Sequence, residues 1–521
     1  MIKSNEKDKY LGSTAKKRRR IPVRYTVALL ASVSEIALII GAVVILCREI
    51  PLFNTLYLIT NLICIVKIIA SDDNPDYKAP WLICVIAFPI VGFMLYVMFY
   101  SRKLKRRYIK RIKAVSKQKY IYDDSDAMAK LEALDKTAAS QAKMLREISR
   151  SHLFLNTDIK YFPSGRAMWE SLLSDLERAE KFIFIEFFII DSGVFWSTIL
   201  DVLKRKARDG VDVRLIYDDI GCMMTLPGNY DKILRSYGIN TVIFSKLRGS
   251  ADSGFNNRSH RKIVVIDGNV AYTGGVNIAD EYVGERIKFG HWKDTALRIE
   301  GEAVGEMTGL FLFDFGINSK VLPKPPEDVY LISHVAHSDG YVIPFGDGPR
   351  PIYSRNVAKS AIQNMICAAT EYVYVTTPYL IIDNDLCSDI ERAALRGVDV
   401  RIVVPHVPDK RLVFAMTRSF YHRLMAAGVR IYEYEPGFIH AKTYVADGKY
   451  AIVGTSNLDY RSLVHNFENG VWMYDTKAVR EVKEDVEGVI GKSILITEDV
   501  LKTSAPRRFV RALIRIFAPM L

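Results

Sequence analysis

SHRKIVVIDG at 259–268 and IHAKTYVADG at 439–448 are the two stretches that decide how this 521-residue chain is read. Both carry His-x-Lys-x4-Asp followed by glycine: His260, Lys262 and Asp267 in the first, His440, Lys442 and Asp447 in the second. Strand alternation puts each histidine and lysine on one face, and the Asp-Gly pair marks the turn that ends the strand. One copy alone would be a weak signal, since ordinary strands also run into turns.

The second copy changes that, because its surroundings repeat as well. Upstream of the first lie FIFIEFFII (Phe182 to Ile190), a helical pattern through Arg208, Gly210, and VDVRLIY (Val211 to Tyr217). Upstream of the second lie YVYV (Tyr372 to Val375), a helical stretch around Glu391 to Arg396, Gly397, and VDVRIVV (Val398 to Val404). Each motif is then followed by a small-residue turn and an asparagine, Asn277 in TGGVN and Asn457 in GTSN. This strand, helix, strand order, met twice, predicts two homologous α/β lobes, and sites commonly form between such lobes. Prolines in Lys320 to Glu327 mark the boundary between them.

Toward the N-terminus the chemistry gives way to three apolar stretches, Tyr25 to Cys47, Ile50 to Ala70 and Ala79 to Tyr100. Each approaches the ~20 residues a helix needs to span a bilayer. The third is free of charge and reads as the safest span. The second, with Pro51, Asn54, Asn61 and Lys67, is the first candidate for a re-entrant segment, and the Pro89 to Gly92 break makes the third a lesser one. The formal charge of +13 is compatible with nucleic acid or with an anionic membrane, and its placement separates the two. Basic blocks at Lys16 to Arg20 and Arg102 to Lys113 flank the apolar stretches without interleaved aromatic platforms, which favours anionic lipid over nucleic acid and places the flanks in the cytoplasm. The six cysteines show no CxxC or framework spacing, so no disulfide scaffold is expected. A phosphate-cradling GxxxxGK[ST] loop, a GxGxxG fingerprint and an HExxH zinc pair are all missing. His334 and His337 have no neighbouring ligand pair, so neither metal nor cofactor is expected.

The doubled motif, the TGGVN and GTSN turns, WKDTALRIEGEAV from Trp292 and SNLDYRSLVHNFENG from Ser456 together resemble the bacterial cardiolipin synthase branch of the phospholipase D superfamily, over essentially residues 80–521. The resemblance implies that both motifs meet in one active site. It implies a mixed β-sheet flanked by helices in each phospholipase D-like lobe, behind an N-terminal helical membrane region. The divisions then run 1–24 basic cytoplasmic tail, 25–100 membrane region, 101–150 basic helical connector, 151–325 first lobe, 326–500 second lobe and 501–521 basic amphipathic segment. The chain departs from the usual pattern of the branch at Ala296, where many relatives have histidine, and at Phe315, where tryptophan is common.

The implied reaction is metal-free transfer of a phosphatidyl group between two phosphatidylglycerol molecules, in a bacterial cell membrane with the lobes in the cytoplasm. A phosphodiester is a poor electrophile with a poor leaving group, so one neutral imidazole attacks phosphorus while a protonated one serves as acid. The motifs are too symmetric to order the two; the resemblance assigns His260 as nucleophile and His440 as general acid and base. Lys262 and Lys442 would counter the phosphate charge, Asn277 and Asn457 would donate to its oxygens, and Asp294 and Glu468 would hold the imidazole tautomers. Asp267 and Asp447 count with the catalytic set as motif members. Their position before glycine at a turn nevertheless favours a carboxylate that accepts backbone N–H groups. A phospholipase D or a transferase to another headgroup shares the mechanism and differs in acceptor; a nuclease and an inactive scaffold fit the charge placement and the intact motifs less well.

Overall fold

The structure, a computed structural model, describes residues 23–97, 106–116, 122–246, 257–319, 335–336, 338–501 and 514–518. The basic block Lys16 to Arg20, the interlobe prolines, His334 and His337, and most of the C-terminal segment lie outside the described residues.

Each lobe is built on one mixed sheet, and the two sheets repeat the same strand order. The first lobe contributes β1 (Thr157–Phe162), β2 (Phe182–Phe187), β3 (Asp212–Asp218), β4 (Asn240–Phe244), β5 (Lys262–Ile266), β6 (Val270–Gly274), β7 (His291–Lys293) and β8 (Ala296–Gly301). The second contributes β9 (Tyr341–Asp347), β10 (Tyr372–Thr376), β11 (Leu380–Ile381), β12 (Asp399–Pro405), β13 (Arg430–Tyr434), β14 (Gly437–Ile439), β15 (Thr443–Ala446), β16 (Tyr450–Gly454), β17 (Leu458–Asp459), β18 (Glu468–Tyr474) and β19 (Ser493–Leu495). The seven-stranded order β1-β8-β6-β5-β2-β3-β4 is matched, element by element, by β9-β18-β16-β15-β10-β12-β13, to which β19 adds an eighth strand. In both sheets the early strands run parallel, joined by crossover helices, and the motif hairpin joins them antiparallel. Strands such as Phe182–Phe187 and Lys262–Ile266 are buried along their whole length, which is why they read as continuous apolar runs rather than alternating ones.

The apolar core does not stop at the lobe boundary. Phe184 and Phe311 of the first lobe share one buried cluster with Val342, Phe345 and Val471 of the second. The connector joins it too. Helices at Ser125–Leu134 and Lys136–Ser149 bury Leu131, Ala138, Ala142 and Leu145 in that cluster.

The N-terminal helices are α1 (Val23–Glu49), α2 (Pro51–Ile69), α3 (Pro75–Ala87) and α4 (Pro89–Leu95). Here the structure reverses an expectation. The second stretch is a continuous, largely exposed 19-residue helix, and among the described residues it alone is long and apolar enough to cross a membrane. The third, read as the safest span, breaks at Phe88 because Pro89 has no N–H to continue the helix. α4 then folds so closely against α3 that a Cβ at Gly92 would lie 2.0 Å from the Cys84 carbonyl oxygen. Of the polar residues that counted against α2, Asn61 is buried while Asn54 and Lys67 are exposed, and Tyr57 donates to the Pro89 carbonyl at 3.0 Å.

Candidate active site

Where the lobes face each other, each completes the other's histidine. His260 leads into β5, and its Nδ1 lies 2.9 Å from Oε2 of Glu468, the first residue of β18 in the opposite lobe. His440 leads into β15, and its Nδ1 lies 2.7 Å from Oδ2 of Asp294, just ahead of β8 in the first lobe. The main chain makes the same exchange. The His260 N–H donates to the Phe467 carbonyl at 2.8 Å and the His440 N–H to the Lys293 carbonyl at 2.7 Å. The parallel pairing of β14 with β7 extends this register across the interface. With Nδ1 engaged by a carboxylate, Nε2 of each ring is the nitrogen left for a substrate.

Lys262 and Lys442 are buried beneath the histidines and donate to the His260 and His440 carbonyls, the first at 2.7 Å. Burial pushes the Lys262 ammonium down to about 8 against the pull of Glu468 and Asp294. It pushes Lys442 down to about 7, with Asp294 opposing and Lys262 adding to the fall. Burial also drives both imidazoles below the ordinary histidine range. For His260 the Glu468 carboxylate resists that shift. His440 falls well below, since Lys442, Lys262 and His260 itself reinforce the burial.

The two carboxylates differ in kind. Burial lifts Asp294 to about 6, in spite of Lys442 and the Thr295 N–H. Burial would lift Glu468 as well, but the His260 ring, Lys262 and the Thr455 hydroxyl hold it below its usual value. The seats differ accordingly: a Cβ at Gly275 would stand 2.0 Å from Oδ1 of Asp294, whereas the equivalent Thr455 donates to Glu468. Aromatic rings add a further asymmetry. Tyr282, Trp292 and Phe438 surround His440 at 5.3, 5.7 and 6.0 Å between centroids, while Phe188 stands edge-on to His260 at 5.2 Å.

Not every expected site residue reaches the centre. Asp267 accepts the backbone N–H groups of Glu180, Lys181 and Phe182 at 2.7–2.8 Å, and Asp447 those of Thr370, Glu371 and Tyr372 at 2.8–3.0 Å. Both sit at the far end of the motif strand with positive φ, where these hydrogen bonds tie neighbouring strands together. Asn277 accepts the Ile189 N–H at 3.2 Å and donates to the Tyr282 hydroxyl at 2.8 Å; Asn457 donates to Asp459 at 2.9 Å. An amide nitrogen carries two donors, so each keeps one N–H for a bound oxyanion.

Sequence reasoning missed Arg261. Wedged between the motif histidine and lysine and fully buried, it donates to the Glu468 carbonyl at 3.0 Å, the Asp347 carbonyl at 3.1 Å and Asp314 at 2.8 Å. Its signal was present in the sequence: a guanidinium at an inward position of an apolar strand must be fully paired.

Two copies of one mixed sheet that exchange carboxylates onto a pair of histidines define the class, a phospholipase D-like phosphodiester enzyme. The family model "Cardiolipin synthase, PLD-like domain" matches residues 172–289 and 362–490, and "Phospholipase D-nuclease N-terminal" matches 59–99. A cardiolipin synthase of Alkalihalophilus pseudofirmus is 32% identical over 87% of this chain and 90% of its own length. One from Geobacillus kaustophilus is 32% identical over 94% and 99%. The chain belongs to the cardiolipin synthase family and is an enzyme of the phosphatidyltransferase type. The fold is shared with the crystal structure of phosphatidylserine synthase from Haemophilus influenzae Rd KW20, at a TM-score of 0.55 and 16% identity over 73% of this chain and 98% of that one. Family membership and the apolar α2 together make it a membrane protein.

Proposed function

We propose that the enzyme joins two phosphatidylglycerol molecules into cardiolipin and glycerol through a phosphohistidine. The observation that carries this reading is the crossed pairing of His260 with Glu468 and His440 with Asp294. Nε2 of His260 attacks the phosphorus of the donor; the P–O bond to the headgroup glycerol breaks, and His440 supplies its proton. The phosphatidyl group is then held on His260. His440, now neutral, takes the proton from a hydroxyl of the second phosphatidylglycerol, whose oxygen displaces His260. Lys262, Lys442 and the free N–H groups of Asn277 and Asn457 stabilise charge on the non-bridging oxygens. No metal is required by these steps.

His440 must be protonated to act as acid, and burial and two lysines oppose that; the negative charge of a bound phosphodiester works in the other direction. The deeper depression of His440 also favours a second reading, in which His440 attacks and His260, drawn upward by Glu468, carries the proton. The lobes stand in the cytoplasm of a bacterium behind a multi-pass region, with anionic lipids against the basic flanks and phosphatidylglycerol as donor and acceptor.

The test is incubation of the purified protein in phosphatidylglycerol vesicles with EDTA, lipid products being followed by mass spectrometry. Cardiolipin from the wild type, and none from His260→Ala or His440→Ala, is the expected result. Phosphatidic acid in its place would mark a hydrolase, and trapping of labelled phosphatidyl by a neutral detergent quench on one histidine variant but not the other orders the two roles.

A further inference from the structure

Away from the histidines, three chain segments that are distant in sequence border an open cavity of about 650 Å³, lined by Asp72, Arg150, Arg350, Pro351, Tyr353, Ser354 and Arg355. Its size is that of a small-ligand site. Arg150 follows the helix Lys136–Ser149, Arg350 and Arg355 belong to the loop between β9 and the helix Val357–Ala368, and Asp72 lies in the turn between α2 and α3.

The three guanidiniums are exposed, and none has a side-chain hydrogen-bond or ion-pair partner among the described residues. Exposed arginines without such a partner also occur singly elsewhere, at Arg208, Arg411 and Arg480, but here three line one cavity. Arg214, Arg258, Arg298, Arg401 and Arg418 all rest on carboxylates. Against three cations the lining supplies a single carboxylate, Asp72, and a net positive cavity remains. Guanidinium forks match phosphate oxygens in geometry as well as charge.

The cavity's place in the fold narrows the ligand. Asp72 stands three residues beyond the end of α2, the helix able to cross a membrane, where the chain first turns polar. That turn is fastened to the second lobe: Asn74 donates to Asp383 at 2.9 Å, and Asp76 accepts the Asn384 N–H at 2.6 Å. The arginines are therefore presented at the level of the lipid headgroups. On its inner wall the Tyr353 hydroxyl lies beside the Arg261 guanidinium, which in turn holds the Glu468 carbonyl.

We propose that this arginine-lined cavity binds a phosphate-bearing anion at the membrane surface, outside the histidine site. A phospholipid headgroup and free phosphate share the chemistry that the arginines recognise. Equilibrium dialysis of the full-length protein in neutral detergent, with labelled inorganic phosphate in one arm and labelled short-chain phosphatidylglycerol in the other, distinguishes them. Lys262→Ala/Lys442→Ala should leave one site for the probe. Arg150→Gln/Arg350→Gln/Arg355→Gln should lose that site, or weaken it about tenfold or more, while retaining the one at the histidines. Saturation by the lipid alone assigns a headgroup site, and saturation by both probes assigns a phosphate site indifferent to the lipid. Arg355→Glu, a single exposed change, should weaken the same site if the triple variant folds poorly. Unchanged binding in a folded arginine variant, or no site beyond the histidines, overturns the proposal. Cardiolipin formation is measured separately and does not decide it.

Discussion

The two histidine–carboxylate pairs are equivalent in position and unequal in electrostatics, and the pH profile should report the difference. A carboxylate is charged above its pKa, so with Asp294 near 6 the support for His440 fades as pH falls through that value. A lysine is charged below its pKa, so with Lys442 near 7 and Lys262 near 8 the phosphate-binding cations fade as pH rises through that range. The expected kcat/KM is a bell with its maximum between these limbs. A profile flat from about pH 5 to 9 would contradict both assignments. Asp294→Asn should abolish the acid limb and lower kcat by about 10² to 10⁴, the usual worth of a positioned acid or base. Gly275→Ala should resemble it in kcat, because the added methyl occupies the place of the Asp294 carboxylate.

At the scale of elements, the motif aspartates and the histidines belong to opposite ends of the same strand. Asp267 ties β5 to the start of β2 by three backbone N–H groups, and Asp447 ties β15 to the start of β10 in the same way. Asp267→Ala leaves those donors unpaired and puts alanine in a left-handed conformation, at φ 53. A loss of about 1–3 kcal/mol per unsatisfied buried group sets the scale. The melting temperature should fall while kcat per folded molecule changes little, as thermal melts beside turnover at low temperature will check. A loss of turnover comparable with His260→Ala at full stability would return Asp267 to the chemistry. The strand, helix, strand repeats were legible from apolar runs and Gly-Val-Asp-Val-Arg words. The helical membrane segments were legible only as apolar lengths, because whether Pro89 breaks a helix and whether Asn61 is buried depend on what packs beside them.

On the scale of the molecule, the two lobes complete each other's motif, since each imidazole takes its carboxylate and a main-chain acceptor across the interface. Arg261 holds that arrangement from behind by joining Glu468, Asp347 and Asp314. Lysine keeps the charge and loses the fork, so Arg261→Lys should lower kcat by on the order of 10- to 100-fold through misplacement of Glu468, with KM little altered. Steady-state kinetics against the melting temperature separates this from simple unfolding, and an unchanged kcat would show that Glu468 is held without it. Deleting the helix Pro51–Ile69 should release the protein from the membrane fraction on sedimentation if α2 is its anchor.

By itself the sequence made the candidate site legible: two histidines, two lysines and two asparagines at matching intervals and two carboxylates at similar ones, in two repeats of one fold. Such spacings are local, and strand alternation and turn chemistry act over a few residues. Tertiary structure alone decided which carboxylate serves which histidine, because the partners stand 208 and 146 residues apart and meet only when the two sheets face each other. It also decided that Asp267 and Asp447 support strands, that Arg261 is buried in the interface, and that α2, rather than the stretch after it, is the continuous apolar helix. In each case the outcome rests on packing between distant segments, which no periodicity along the chain encodes.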